Sequence, residues 1–71
     1  QRPPLALSPR EREVLTLFVA GWSVNAIAEK LDRRKQTVST QKVNGMAKLG
    51  IERDAYLFKY AVELGLSGAA S

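Results

Sequence analysis

Between Leu7 and Leu66 the apolar residues recur at helical spacing, and no stretch alternates with period two over a useful length. Val14, Leu15, Leu17 and Phe18 mark one face of a first helix, expected over residues 9–20. Ser8 is its N-cap, Pro9 suits the first helical position where no N–H is needed, and Glu11 completes a capping box. Gly21 ends it. Ser23 caps a second helix over 24–31, with Val24, Ile27, Ala28 and Leu31 as its inner stripe. A third helix is expected over 35–49, stopped by Gly50. Val38, Gly45, Met46 and Leu49 fall on one side of it; Gln36, Ser39, Thr40, Val43 and Asn44 fall on the other. A fourth, over 54–64, is capped by Asp54 and closed by Gly65, with Leu57, Phe58, Ala61 and Val62 as inward candidates. The pattern predicts an all-α fold of four helices.

The ends of the chain break this pattern. Residues 1–6, with adjacent prolines, read as a linker, 7–66 as the domain, and 67–71 as a loose tail. The whole reads as a module of a longer protein. With 71 residues this is one small domain. Chains near this size bury only about 60% of their unfolded surface, which leaves little room for an enclosed small-molecule site. Cysteine and histidine are absent, which removes disulfides, zinc sites, thiolate nucleophiles and the commonest neutral-pH base. No cofactor and no enzymatic activity are expected. Ser8 has no base to activate it and serves as a cap, and Glu11 and Glu13 are spaced so that they do not face each other on a helix. No apolar run is long enough to cross a membrane and no signal peptide opens the chain, so a cytoplasmic location is expected.

Charge turns a helical domain into a candidate binding module. The chain carries 11 Lys and Arg against 7 Asp and Glu, a formal charge of +4. From Arg33 to Lys48 there are five basic residues (Arg33, Arg34, Lys35, Lys42, Lys48) and no acidic one. Three residues, Gly21-Trp22-Ser23, join the first two helices, and a longer third helix follows, the outline of a helix-turn-helix. The polar face of that third helix holds short groups that both donate and accept hydrogen bonds, chemistry suited to base edges and phosphates. The major groove is about 12 Å wide, so the N-terminal half of the helix is the part that reaches bases. Base reading is therefore assigned to Ser39, Thr40 and Val43, with Gln36 secondary. Phosphate contacts are assigned to Lys35, Thr37, Lys42 and Asn44, with Arg33 and Arg34 at the rim and Asn25 on the second helix. Arg10 and Arg12 read as surface charges, and Trp22 as cover for the edge of the core.

At LSPREREVL, GWS, IAEKL, the TV of the third helix and KLGI, the chain resembles the LuxR-type (GerE-type) helix-turn-helix. TVSTQK and GMAKLG look most like the version in RcsB-like response regulators. The resemblance spans Leu7 to Leu66. It implies the DNA-binding domain of a bacterial transcription regulator, with the third helix in the major groove and the fourth in a two-fold contact. By position it puts base reading on Ser39, Thr40 and Val43 and a phosphate-holding threonine at Thr37. It also implies a receiver or sensing domain N-terminal to this chain, with RNA polymerase as a further candidate partner. Three departures stand out. Arg34 replaces a capping serine, Gln41 and Lys42 replace a histidine and an apolar residue, and Asn25 replaces a basic one.

On the fourth helix, Tyr56, Lys59, Tyr60 and Glu63 point away from the expected inward set, and tyrosine is enriched at interfaces. A weak homodimer contact is assigned there. Two rival readings are a promoter-binding domain like region 4 of a sigma factor and a helical protein–protein module working through the fourth helix. KLGI and the apolar fourth helix speak against the first, and the polarised charge against the second.

Overall fold

The computed structural model describes residues 7–66; the linker and tail expected at 1–6 and 67–71 lie outside the described residues. Four helices follow one another: α1 (Pro9–Val19), α2 (Val24–Leu31), α3 (Lys35–Lys48) and α4 (Asp54–Lys59). There is no strand among the described residues.

Capping chemistry sets the first two helices. The Glu11 amide donates to Ser8 Oγ at 3.2 Å, and the Ser8 amide donates to Glu11 Oε1 at 3.0 Å. Two donors that no helix turn can satisfy are thus paired. At the far end, the Trp22 amide reaches Leu17 O at 3.1 Å and the Gly21 amide reaches Phe18 O at 3.0 Å, with Gly21 at φ +108°. This closure turns the chain straight into α2, where Ser23 Oγ accepts from the Ala26 amide at 3.1 Å. α2 ends the same way, but on an aspartate: Asp32 sits at φ 56°, ψ 51°, and the Arg33 amide reaches Ala28 O at 2.9 Å. Aspartate tolerates the left-handed region better than most side chains.

Two buried clusters share α1 as a wall. Val14 joins Ile27, Ala28 and Val38; its neighbour Leu15 joins Met46, Leu57, Ala61 and Leu66. Adjacent residues on one helix thus serve the two sides of the domain, and α3 enters both, through Val38 and Met46. Gly45 lets α3 approach α1 closely, because a Cβ there would lie 2.8 Å from Leu15 Cδ1. The crossing is also tied electrostatically. Lys48 Nζ donates to Glu11 Oε1 at 2.8 Å, joining the end of α3 to the start of α1.

α4 departs from expectation in three ways. It is shorter than 54–64, ending at Lys59; Tyr60 leaves helical geometry at φ −102°, ψ 11°, and turns carry the chain to Gly65. Arg53, not Asp54, holds the N-cap position, and its side chain makes no capping bond. Leu57 and Ala61 are buried as expected, but Phe58 and Val62 are 47% and 71% exposed. Once the helix gives way to turns, the 3.6-residue period that put Val62 inside no longer applies. The Phe58 ring packs beside the Phe18 ring, with centroids 5.4 Å apart.

Candidate nucleic-acid interface

The core fixes which side of α3 faces outward. Val38, Gly45 and Met46 are buried, so Gln36, Ser39, Thr40, Val43 and Asn44 lie exposed. Gln36, Ser39, Thr40 and Val43 are spaced to form one continuous outer ridge. Val43, 58% exposed, is the apolar member of this polar strip, of a size to meet a thymine methyl.

The start of α3 concentrates positive charge. Arg33, Arg34 and Lys35 are exposed, and none joins an ion pair among the described residues. Arg34 occupies the N-cap position without a side-chain capping bond. The first α3 amides therefore face outward beside three cations, a positive end suited to an anion. Asn25 is exposed on α2 and lines a shallow groove with Asp32, Arg33 and Lys35, so the structure brings it to the same end of the domain. Thr37, within the first turn of α3, is exposed as well.

Lys42, expected among the phosphate contacts, is paired within the chain. Its ammonium lies 3.0 Å from Asp54 Oδ1, its side chain is 16% exposed, and its Nζ sits 4.3 Å from the Phe18 ring centroid. The reason is position on the helix: Lys42 falls four residues after Val38 and four before Met46, on the buried stripe. Lys48 is likewise spent inside, on Glu11. Two of the five cations between Arg33 and Lys48 thus face acids of the same chain, and the remaining positive charge gathers at the N-terminal end of α3. The Lys42–Asp54 contact was missed from sequence, although the helical stripe already carried the signal for it.

Tyr56, Lys59, Tyr60 and Glu63 are all exposed. Tyr56 and Tyr60 stack at 6.5 Å, and Lys59 Nζ lies 5.6 Å from the Tyr60 ring. The two tyrosines and Glu63 border an open groove floored by Leu49, Ile51 and Leu64. Trp22 is 38% exposed at the α1–α2 turn, with Lys30 Nζ 5.2 Å from its ring; it shields the edge of the core in part only. No helix among the described residues is long and apolar enough to cross a membrane, and no cluster of acids there is built to hold a metal.

A short turn between α2 and α3, with α3 presenting a solvent-facing polar ridge and a cationic start, defines a helix-turn-helix domain. The chain belongs to the luxR family of bacterial regulatory proteins, whose family model (GerE) matches residues 5–61. It is 49% identical over 63 residues to the transcriptional regulatory protein RcsB of Escherichia coli K12, covering 89% of this chain and 29% of that protein. Its fold matches that of RcsB in a structure of the two-component response regulator RcsB–DNA complex, with TM-score 0.81 at 47% identity over 84% of this chain and 30% of the other. It also matches RcsB in a structure of two RcsB dimers bound to two parallel DNAs, with TM-score 0.78 at 49% identity, over 80% of this chain and 28% of the other. The chain spans less than a third of the length of the curated relatives it matches.

Proposed function

We propose that this domain binds duplex DNA with sequence preference, as the effector part of a transcription regulator, with α3 in the major groove. The observation that carries the reading is the exposed ridge of α3, uncharged and rich in hydrogen-bonding groups, opening on three cations that form no ion pair among the described residues. Ser39, Thr40 and Val43 read bases, with Gln36 at the edge. Arg33, Arg34, Lys35, Thr37, Asn44 and Asn25 hold phosphates and set the register. Lys42 is not among them. The likeness to a protein solved on DNA supports the same docking.

Two copies would contact each other through Tyr56, Lys59, Tyr60 and Glu63 and read half-sites about one helical turn apart. A regulatory domain outside this chain would supply the input, in keeping with the greater length of the relatives.

Selection of bound sites from random duplexes, repeated at two salt concentrations, tests the reading. A defined motif should emerge, and log affinity should fall linearly with log salt at about −0.9 per phosphate neutralised. Thr40→Ala should relax preference at one base step, whereas Lys35→Ala should weaken all sequences alike. A flat salt response with no motif would return the domain to the protein–protein reading.

A further inference from the structure

The geometry points to Lys42 and Asp54 as a positioning pair that sets how α3 presents its reading ridge, acting through the ion pair and the Phe18 ring rather than by touching DNA. The inference rests on the proposed DNA-binding reading and adds to it a specificity determinant that makes no contact with the nucleic acid.

Three helices meet at this point. Lys42 lies on α3, Asp54 is the first residue of α4, and Phe18 stands near the end of α1. The ammonium is held between a carboxylate oxygen at 3.0 Å and an aromatic face at 4.3 Å. Phe18 in turn packs on Phe58, one turn along α4 from Asp54. A cation placed so is attracted by both the carboxylate and the ring, and each is strengthened by partial removal from water. Lys42 immediately precedes Val43 and follows Thr40 by two, so a change in its seat turns the residues that meet the bases. α3 and α4 are otherwise joined by the loop through Gly50 and Ile51 and by the core around Met46 and Leu57, which lie toward the C-terminal half of α3. Of the two ion pairs among the described residues, this one lies nearer the reading residues.

Three other features lead less far. The Glu11–Lys48 tie lies at the C-terminal end of α3, away from the ridge. The tyrosine groove belongs to the dimer contact already proposed. The exposed Phe58 and Val62 have nothing in the structure to say what covers them.

The test compares affinity for a selected duplex and for a random duplex, over a range of salt, for the native chain, Lys42→Met, Asp54→Asn and Lys42→Arg. Circular dichroism melts confirm folding in each. Lys42→Met and Asp54→Asn should each lower the ratio of selected to random affinity by roughly three- to tenfold, within the lower part of the range for coupled neighbours, while Lys42→Met leaves the salt slope unchanged. Lys42→Arg, which keeps the charge and the ring contact, should restore the ratio. If Lys42→Met weakens both duplexes equally and lowers the slope by about 0.9, Lys42 is a phosphate contact and the positioning role is overturned, with DNA binding intact. An unchanged ratio in Asp54→Asn overturns it as well, and this variant serves where Lys42→Met does not fold. A native chain with no preference between the duplexes overturns the DNA-binding reading itself, and the positioning role with it.

Discussion

Glu11 Oε1 accepts from the Ser8 amide and from the Lys48 ammonium, so a single carboxylate oxygen both caps α1 and ties it to α3. The Lys48 hydrogen bond, followed by that of the Ser8 amide, holds its carboxyl below the ordinary value of 4.5. A carboxylate whose folded value is depressed stabilises the fold above its unfolded value, and that stability is lost as pH falls through the folded value. Thermal melts from pH 7 to pH 3 should therefore show the native chain above Glu11→Gln near neutrality and the gap narrowing as the pH falls below the ordinary value of 4.5. A constant gap across that range would mean that shape, not charge, carries the role. At this scale the sequence was informative wherever a rule is local. Ser8, Pro9 and Glu11 lie within one turn, and their capping box is readable from spacing. Lys48 and Glu11 are 37 residues apart, and no local rule joins them.

The helices were legible in proportion to their periodicity. α1, α2 and α3 lie within a residue of their expected ends, because serine caps or terminal glycines punctuate them. α4 has neither a side-chain cap nor an unbroken apolar stripe, and it gives way to turns after Lys59. The α3 ridge was also legible, since burying Val38 and Met46 forces Ser39, Thr40 and Val43 outward. Lys42 pairs with Asp54 because it lies on the buried stripe, a position that its charge alone does not reveal. The α1–α3 crossing yields a prediction of its own. Gly45→Val drives added methyl groups toward Leu15, which is fully buried, and should cost roughly 1–3 kcal/mol by overpacking. In a domain this small each kcal/mol lowers the melting midpoint by about 4–8 °C, so calorimetry resolves the effect. A midpoint equal to the native one would show that Leu15 can swing aside.

For the molecule as a whole, the unpaired cations Arg33, Arg34 and Lys35 and most of the exposed large apolar side chains fall on different elements. Cations gather where α3 begins, and the tyrosines line α4. A contact made by one short helix and the turns that follow it buries less than the roughly 1,600 Å² of a standard interface, so the isolated domain should self-associate weakly. Tyr60→Ala should weaken that association in sedimentation and reduce cooperative filling of paired half-sites, with affinity for one half-site kept. If both measures stay at native values, the contact lies elsewhere, and the exposed face of Phe58 and Val62 becomes the next surface to probe. The composition foretold the excess of positive charge but not its distribution, because internal pairing of Lys42 and Lys48 is a property of the fold.

α3 rests on one core through Val38 and on the other through Met46, and Ser39, Thr40 and Val43 all lie between those two anchors. Two buried anchors so close together leave that stretch of helix little room to bend. The side chains in the span are short, and short side chains forfeit little rotational entropy when immobilised. Choosing among base pairs would then cost this domain almost no ordering, and its discrimination should be expressed chiefly as enthalpy.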